Sequence, residues 1–237
     1  IKVLKKADVI AYPLASKDKE SYSANIVKKY IRYKTKLPIV FPMSRKGFDP
    51  IKIWEEAAKE IVKFIRKGKS VVLICLGDTS FYASSSFIRD EIHRNYPKIL
   101  ISTIPGISSF SAAASRINFD LVRKGDSLLI FECPDNAYEL KTLINSKRGK
   151  RCTLVIMKVS NKWEWVKQVL NEEELSERAF LGLNIGMQNE IIIKASEEAN
   201  LNLPYFSLII LRIRSSVYLS LIGTYVQPEY IEPNIPK

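Results

Sequence analysis

The feature that most restricts this chain is a rhythm: short apolar runs stop abruptly at Gly, Pro or Asp, and helical patterns follow them. The run Val71 to Leu76 ends in Gly77-Asp78-Thr79 and opens into a helical pattern over Phe81 to Tyr96. Ile99 to Ile104 ends in Pro105-Gly106 and opens into the small-residue helix Ile107 to Arg116. Upstream, Ala7 to Pro13 (ADVIAYP) reads as a buried strand ended by proline. Ser21 to Lys34 carries Ile26, Val27, Tyr30, Ile31 and Tyr33 at near-helical spacing, and Ile39 to Met43 is a short strand or loop. Asp49 caps a further helix, Pro50 fits its first position, and Lys67-Gly68 stops it. Strands alternating with helices of about 10–15 residues predict a mostly parallel sheet covered on both faces.

The second half changes pace. Strands are expected at Ser127 to Phe131, Cys152 to Lys158, Ala179 to Ile185, Ile191 to Lys194 and Leu208 to Ile213, with helices at Asn136 to Ser146 and Trp163 to Leu170. Less helix separates these strands, so a mixed sheet is predicted. The stretch Phe119 to Asp126 is the candidate junction, giving an N-terminal α/β domain over 1–120 and a C-terminal one over 121–237. Gln227 to Lys237, with three prolines, reads as an irregular tail.

Composition narrows the chemistry. His93 is the only histidine and lies on a charged helix face, so no multi-histidine metal site is expected. Cys75, Cys133 and Cys152 are far apart and fit neither a disulfide framework nor a zinc pattern. No apolar run approaches the roughly 18 residues of a membrane span, and Ile1 to Lys6 has no secretory pattern, so no membrane and a cytoplasmic location are expected. The 37 Lys and Arg against 25 Asp and Glu give a net charge of +12, which favours anionic partners.

Open α/β sheets bind ligands at the carboxyl ends of their strands. Leu76-Gly77-Asp78 and Ile104-Pro105-Gly106 both lie at such ends. Gly77 allows a tight turn and close approach of a ligand, and Asp78 can accept hydrogen bonds from ligand hydroxyls. Ser108 and Ser109 open a helix whose first amides can hold a polar group. The competing explanation is ordinary helix capping at both places. There is no GxGxxG, Walker or HExxH motif.

In order, LKKADVIAYP (4–13), VVLICLGDTSFYASSSFI (71–88), STIPGISSFSAAASR (102–116), GDSLLIF (125–131), LVIMKVS (154–160), LGLNIGMQNEII (181–192) and LPYFSLIIL (203–211) resemble the tetrapyrrole (corrin/porphyrin) methylase family. Within it they are most similar to the precorrin-2 and cobalt-factor II C20-methyltransferases. The resemblance implies two α/β domains with a cleft between them, a homodimer, and S-adenosyl-L-methionine as methyl donor. It implies donor contacts at Leu76, Gly77, Asp78, Phe81, Ser108 and Ser109, and further ones at Met157, Lys158, Met187, Tyr205 and Phe206. The family opens with a strand and a GxGPGDxxLLT loop, and this sequence starts after them.

The implied reaction moves an activated methyl group to a carbon of a tetrapyrrole polycarboxylate in cobalamin biosynthesis. Orientation can supply about 7–11 kcal/mol of such a barrier, so no protein nucleophile or metal is expected. Tyr82, Asp78 or a water are the candidate proton acceptors. Lys17, Lys19, Arg45 and Lys158 are candidates for holding the carboxylates, against the plainer reading of solvated cations. Nucleic acid is not the expected partner. The alternatives kept open are a related methylase acting on ribosomal RNA or diphthine, and a non-catalytic tetrapyrrole- or donor-binding module.

Overall fold

The computed structural model describes residues 1–16, 18–41, 49–198, 202–214, 223 and 225–226. Contacts divide the chain into two units, Ile1–Ser108 and Ser109–Lys237.

The first unit runs α1 (Lys2–Lys6), β1 (Val9–Leu14), α2 (Tyr22–Ile26), α3 (Lys28–Ile31), β2 (Thr35–Val40), α4 (Pro50–Arg66), β3 (Val71–Leu73) and α5 (Ser85–Asn95). Its three strands are parallel, in the order β2-β1-β3. The α4 helix forms as its sequence demands. The Asp49 carboxylate accepts from the Ile51 N–H at 3.0 Å, and Pro50 takes the first turn, where no amide is needed. Gly68 then closes it at φ +72, with Gly68 N–H on Ile65 O and Lys69 N–H on Phe64 O. Between these ends Ala57, Ala58, Ile61 and Val62 make one helical stripe, buried against Ala11 and Ile39 of the sheet and Ile88 and Ile92 of α5. Ile10 points the other way and meets Ala7 and Ile31, so the sheet is covered on both faces.

Four expectations fail in this unit. The run Val71 to Leu76 keeps only Val71–Leu73 in the ladder, with one further bond from Ile74 N–H to Ala11 O at 2.9 Å. Ile99 to Ile104 forms no strand: it pairs with nothing in the sheet, and Leu100 is 97% exposed. The helix expected from Phe81 begins only at Ser85, because Tyr82 takes a left-handed φ of 49° that a helix cannot contain. The pattern over Ser21 to Lys34 is likewise split into two short helices at Val27.

The second unit runs α6 (Ser109–Arg116), β4 (Ser127–Glu132), α7 (Ala137–Ser146), β5 (Cys152–Met157), α8 (Trp163–Glu172), β6 (Ala179–Leu183), β7 (Ile191–Lys194), β8 (Ser207–Arg212) and β9 (Tyr225–Val226). They form one mixed sheet in the order β4-β5-β8-β6-β7-β9. Every strand expected from the sequence of this half is present. Alternate residues separate cleanly by face. Leu154, Ile156, Ile209, Leu211 and Leu181 lie against Leu140 and Ile144 of α7 and Trp163, Val166 and Leu170 of α8. Val155, Phe180, Leu208 and Ile210 lie against Phe110, Ala113 and Ala114 of α6. The stretch expected as a junction lies inside this unit, where Phe119 meets Phe180 edge-on at 5.8 Å.

Candidate functional site

Each unit gathers part of the expected site at one end of its own sheet. In the first, the chain leaves β3 and turns at Gly77, whose φ is +73°. The neighbouring loop approaches so closely that only glycine fits at position 106. A Cβ there would stand 2.2 Å from the Gly77 carbonyl oxygen and 2.9 Å from its carbon. Two backbones in contact are the arrangement that Gly77 and Gly106 together permit.

Asp78 binds the two loops to each other. One carboxylate oxygen accepts from the Ser80 amide at 2.7 Å and from the Ser80 hydroxyl, and the other accepts from the Gly106 N–H at 3.1 Å. These bonds, those of Ser80 first and that of Gly106 last, hold the Asp78 carboxyl below its usual range. Asp78 is therefore a persistent anion and a weak proton acceptor. Its hydrogen bonds are those of a loop clasp. The capping and binding readings of this aspartate thus resolve into a third: it is neither a helix cap nor open to a ligand on all sides. Around the clasp Leu76 and Phe81 are exposed, as are Ile104 and Ile107, while Ser108 is buried. A rim of backbone, exposed apolar side chains and one fixed carboxylate suits a ligand held mainly through main-chain groups and apolar contact.

In the second unit, β4, β5 and β6 run in one direction and end at Glu132, Met157 and Leu183, while β8 starts there at Ser207. The expected positions of this unit beyond Ser109 follow from that register. Met157 and Lys158 leave β5, the turn containing Met187 leaves β6, and Tyr205-Phe206 enter β8. The Phe206 carbonyl accepts from the Asn184 N–H at 2.8 Å, and the Asn184 carbonyl accepts from the Met187 N–H at 2.9 Å, tying two of these segments together. Met157 packs into the α6 face of the core, and the Tyr205 and Phe206 rings meet edge-on at 5.0 Å. Ser109 opens α6.

Backbone strain concentrates at these ends. Among the described residues the non-glycine positions with positive φ are Tyr82, Asn118, Lys158, Glu174 and Asn184. Asn118 and Glu174 stand just past the ends of α6 and α8, where such a conformation is common. Tyr82, Lys158 and Asn184 instead sit in the candidate loops, where the cost is sustained by surrounding bonds.

The remaining candidates divide. Lys158 reaches Glu132 at 2.9 Å, both side chains about half exposed. Lys19 is exposed, and Lys17 and Arg45 lie outside the described residues. His93 is exposed in the last turn of α5, and Cys75, Cys133 and Cys152 are unpaired thiols. Burial pushes the Cys133 thiol up to about 11, leaving it unreactive at neutral pH. Among the described residues no His, Cys, Asp or Glu cluster could hold a metal ion, and no helix is long and apolar enough to cross a membrane. Sequence reasoning missed Glu190 and Arg116, which meet across 74 positions. No local pattern announces such a pair.

Three comparisons with known proteins bear on this geometry. The family model for Tetrapyrrole (Corrin/Porphyrin) Methylases matches residues 1–199. The cobalt-precorrin-2 C(20)-methyltransferase of Salmonella typhimurium is 28% identical over 212 residues, covering 88% of this chain and 86% of the relative. The probable cobalt-precorrin-2 C(20)-methyltransferase of Methanocaldococcus jannaschii is 28% identical over 174 residues, covering 73% and 70%. Among solved structures, the cobalamin biosynthetic enzyme cobalt precorrin-4 methyltransferase, CbiF, shares the fold with a TM-score of 0.63 at 18% identity, covering 89% of this chain and 86% of that one.

Proposed function

The chain belongs to the tetrapyrrole (corrin/porphyrin) methylase family, and from that premise we propose that it transfers a methyl group from S-adenosyl-L-methionine to carbon 20 of precorrin-2 or its cobalt-bearing counterpart, cobalt-factor II, in cobalamin biosynthesis. The choice of carbon 20 is supported by the names of the two relatives at 28% identity. The donor assignment is carried by one observation, the Gly77–Gly106 contact clasped by Asp78. That contact leaves a glycine-lined main-chain edge at the carboxyl end of a parallel sheet, where α/β folds bind nucleotides.

Donor contacts are proposed in each unit taken by itself: Leu76, Gly77, Asp78, Phe81 and Ser108 in the first, and Ser109, Met157, Lys158, Met187, Tyr205 and Phe206 in the second. The donor's sulfonium supplies an already activated methyl group. The chain's own work is then to hold and orient, which is the kind of catalysis that needs no protein nucleophile. Both Asp78 oxygens already accept hydrogen bonds from Ser80 and Gly106, which disfavours it as the acceptor from the substrate carbon beside Tyr82 or water. The tetrapyrrole's carboxylates are proposed to meet Lys158 and the basic surface. The working form is proposed to be a cytoplasmic homodimer.

Calorimetric titration with S-adenosylhomocysteine tests the donor site. The expected outcome is micromolar binding that Gly77→Arg abolishes. A folded protein without binding overturns the reading. Incubation with donor and either tetrapyrrole, followed by mass spectrometry and NMR of the product, tests carbon 20; a methyl group at another carbon overturns that part alone.

A further inference from the structure

We infer that Glu190 is a positioning residue for the donor-binding end of the second unit, acting through the turn that carries Met187. This inference rests on the donor-site reading above. Glu190 lies just ahead of β7 and is 1% exposed. A carboxylate in that setting must be fully paired to persist as a charge. One of its oxygens accepts from Arg116 Nε at 2.9 Å, and the other accepts from the Gly186 backbone N–H at 2.5 Å. Its own N–H donates to the Met187 carbonyl at 3.2 Å.

The turn held in this way is strained. Asn184 and Gly186 both take left-handed φ, at 50° and 79°. Glycine takes that conformation freely, so the cost falls on Asn184, which keeps it because its surroundings fix it. The surroundings are specific. The Gly186 amide is fixed by the Glu190 side chain, the Met187 carbonyl by the Glu190 amide, and the Asn184 amide by the Phe206 carbonyl. Through Arg116 the same carboxylate is tied to the last residue of α6, the helix that Ser109 opens. One buried group thus sets the mutual placement of the Met187 turn and α6, while Phe206 is joined to the same turn by a backbone bond to Asn184. All three elements carry proposed donor contacts. A carboxylate whose only task was to fill space would be replaceable by an apolar side chain of similar volume. Here it has one main-chain donor and one guanidinium to satisfy, each on a different element. The half-exposed Arg116 guanidinium retains access to water, while the buried Glu190 carboxylate depends on it as its charge partner.

The substitution Glu190→Gln separates these roles. Its amide oxygen can still accept from the Gly186 N–H, but its NH2 group faces the Arg116 guanidinium, donor against donor. Arg116→Lys keeps the charge, and since only Nε is used it can restore the contact. Arg116→Met cannot. Each variant is titrated with S-adenosylhomocysteine beside wild type and melted without ligand. The expected result is binding weakened about tenfold in both Glu190→Gln and Arg116→Met; Glu190→Gln, which removes the buried charge itself, is expected to melt close to wild type, and Arg116→Met, which leaves that charge without its cation, to melt lower. Arg116→Lys is expected to bind within about threefold of wild type. If wild type binds and Glu190→Gln binds equally well, the positioning role is overturned while the donor site stands. The positioning role is likewise overturned if the variants lose melting temperature but bind unchanged when folded, because the pair is then structural only. If wild type itself does not bind, the donor-site reading falls first and this inference falls with it. Should Glu190→Gln not fold, the contrast between Arg116→Met and Arg116→Lys decides: equal affinity overturns the inference, and loss with rescue supports it.

Discussion

The two sheets divide labour differently. In the second unit β5 and β8 are buried along nearly their whole length, and every residue of β6 is buried. In the first, all three residues of β3 are only half-buried, and β2 buries one residue of six. Yet the Gly77–Gly106 contact, the tightest backbone approach around any described glycine, belongs to the first unit. The well-packed sheet holds its loops from behind with two apolar faces. The thin sheet holds its loops by clasping them to each other. Where a core cannot impose geometry, local hydrogen bonds and glycines must do so.

The largest effect that would break this comparison is on stability. Trp163 is wholly buried beneath the second sheet, and Trp163→Ala is expected to cost about 3–5 kcal/mol in denaturant unfolding. Val71→Ala, on the half-buried β3, is expected to cost about 1 kcal/mol, since little more than partial burial is lost. Equal losses at the two positions would show that the thin sheet is as well supported as the thick one.

Next in size is Gly106→Ala. The added methyl group meets backbone rather than a movable side-chain end, so the loops must part. A stability loss of about 1–3 kcal/mol is expected from overpacking of this kind. Binding of S-adenosylhomocysteine should fall further than stability does, because the clasp opens while the cores remain. Calorimetry and melting on the same sample separate the two, and unchanged binding would remove Gly106 from the site.

These contrasts also explain what the sequence could tell. The second unit was legible because two-sided burial writes continuous apolar runs, such as Leu154 to Met157 and Leu208 to Leu211. The α4 helix was legible because its ends carry their own chemistry in Asp49, Pro50 and Gly68. The run Ile99 to Ile104 looks the same as those strands, but a strand also needs a neighbour, and composition is silent about neighbours. The late start of α5 depends on the φ of Tyr82, and a tyrosine does not advertise a left-handed turn. The candidate loops could be marked at Gly77-Asp78 and Pro105-Gly106, but no local pattern shows that Asp78 commits its oxygens to Ser80 and Gly106.

That commitment predicts a pH dependence confined to the first unit. A carboxyl held below its usual range adds stability above that range and loses it as pH falls through the folded value. The clasp should therefore be intact at neutral pH and fail only below the ordinary aspartate value of about 3.9. Asp78→Asn should weaken S-adenosylhomocysteine binding at pH 7 by about threefold to tenfold, since the amide can accept from only one side. As pH falls below that ordinary value of about 3.9, its binding should also be flatter than that of wild type. A wild-type profile matching that of the variant would mean that Asp78 does not set the loop.

The smallest effect sharpens the comparison on the side of the second unit. Lys158 and Glu132 are paired at 2.9 Å but half exposed, so Glu132→Gln should change stability by no more than about 0.2–1 kcal/mol. The backbone of Lys158 is a different matter. Its φ of 58° costs an L-residue about 1–2 kcal/mol that glycine does not incur, partly offset by the greater entropy glycine loses on folding. Lys158→Gly should therefore leave the protein as stable as wild type or slightly more so, despite losing the ion pair. If the lysine side chain is kept at a strained position for the substrate's carboxylates while the proposed donor contact is made by its main chain, the same variant should raise KM for the tetrapyrrole and leave KM for the donor nearly unchanged. A variant that is more stable and equally active would show that the strain at the end of β5 serves the turn alone. A rise in both KM values would place Lys158 at the donor instead.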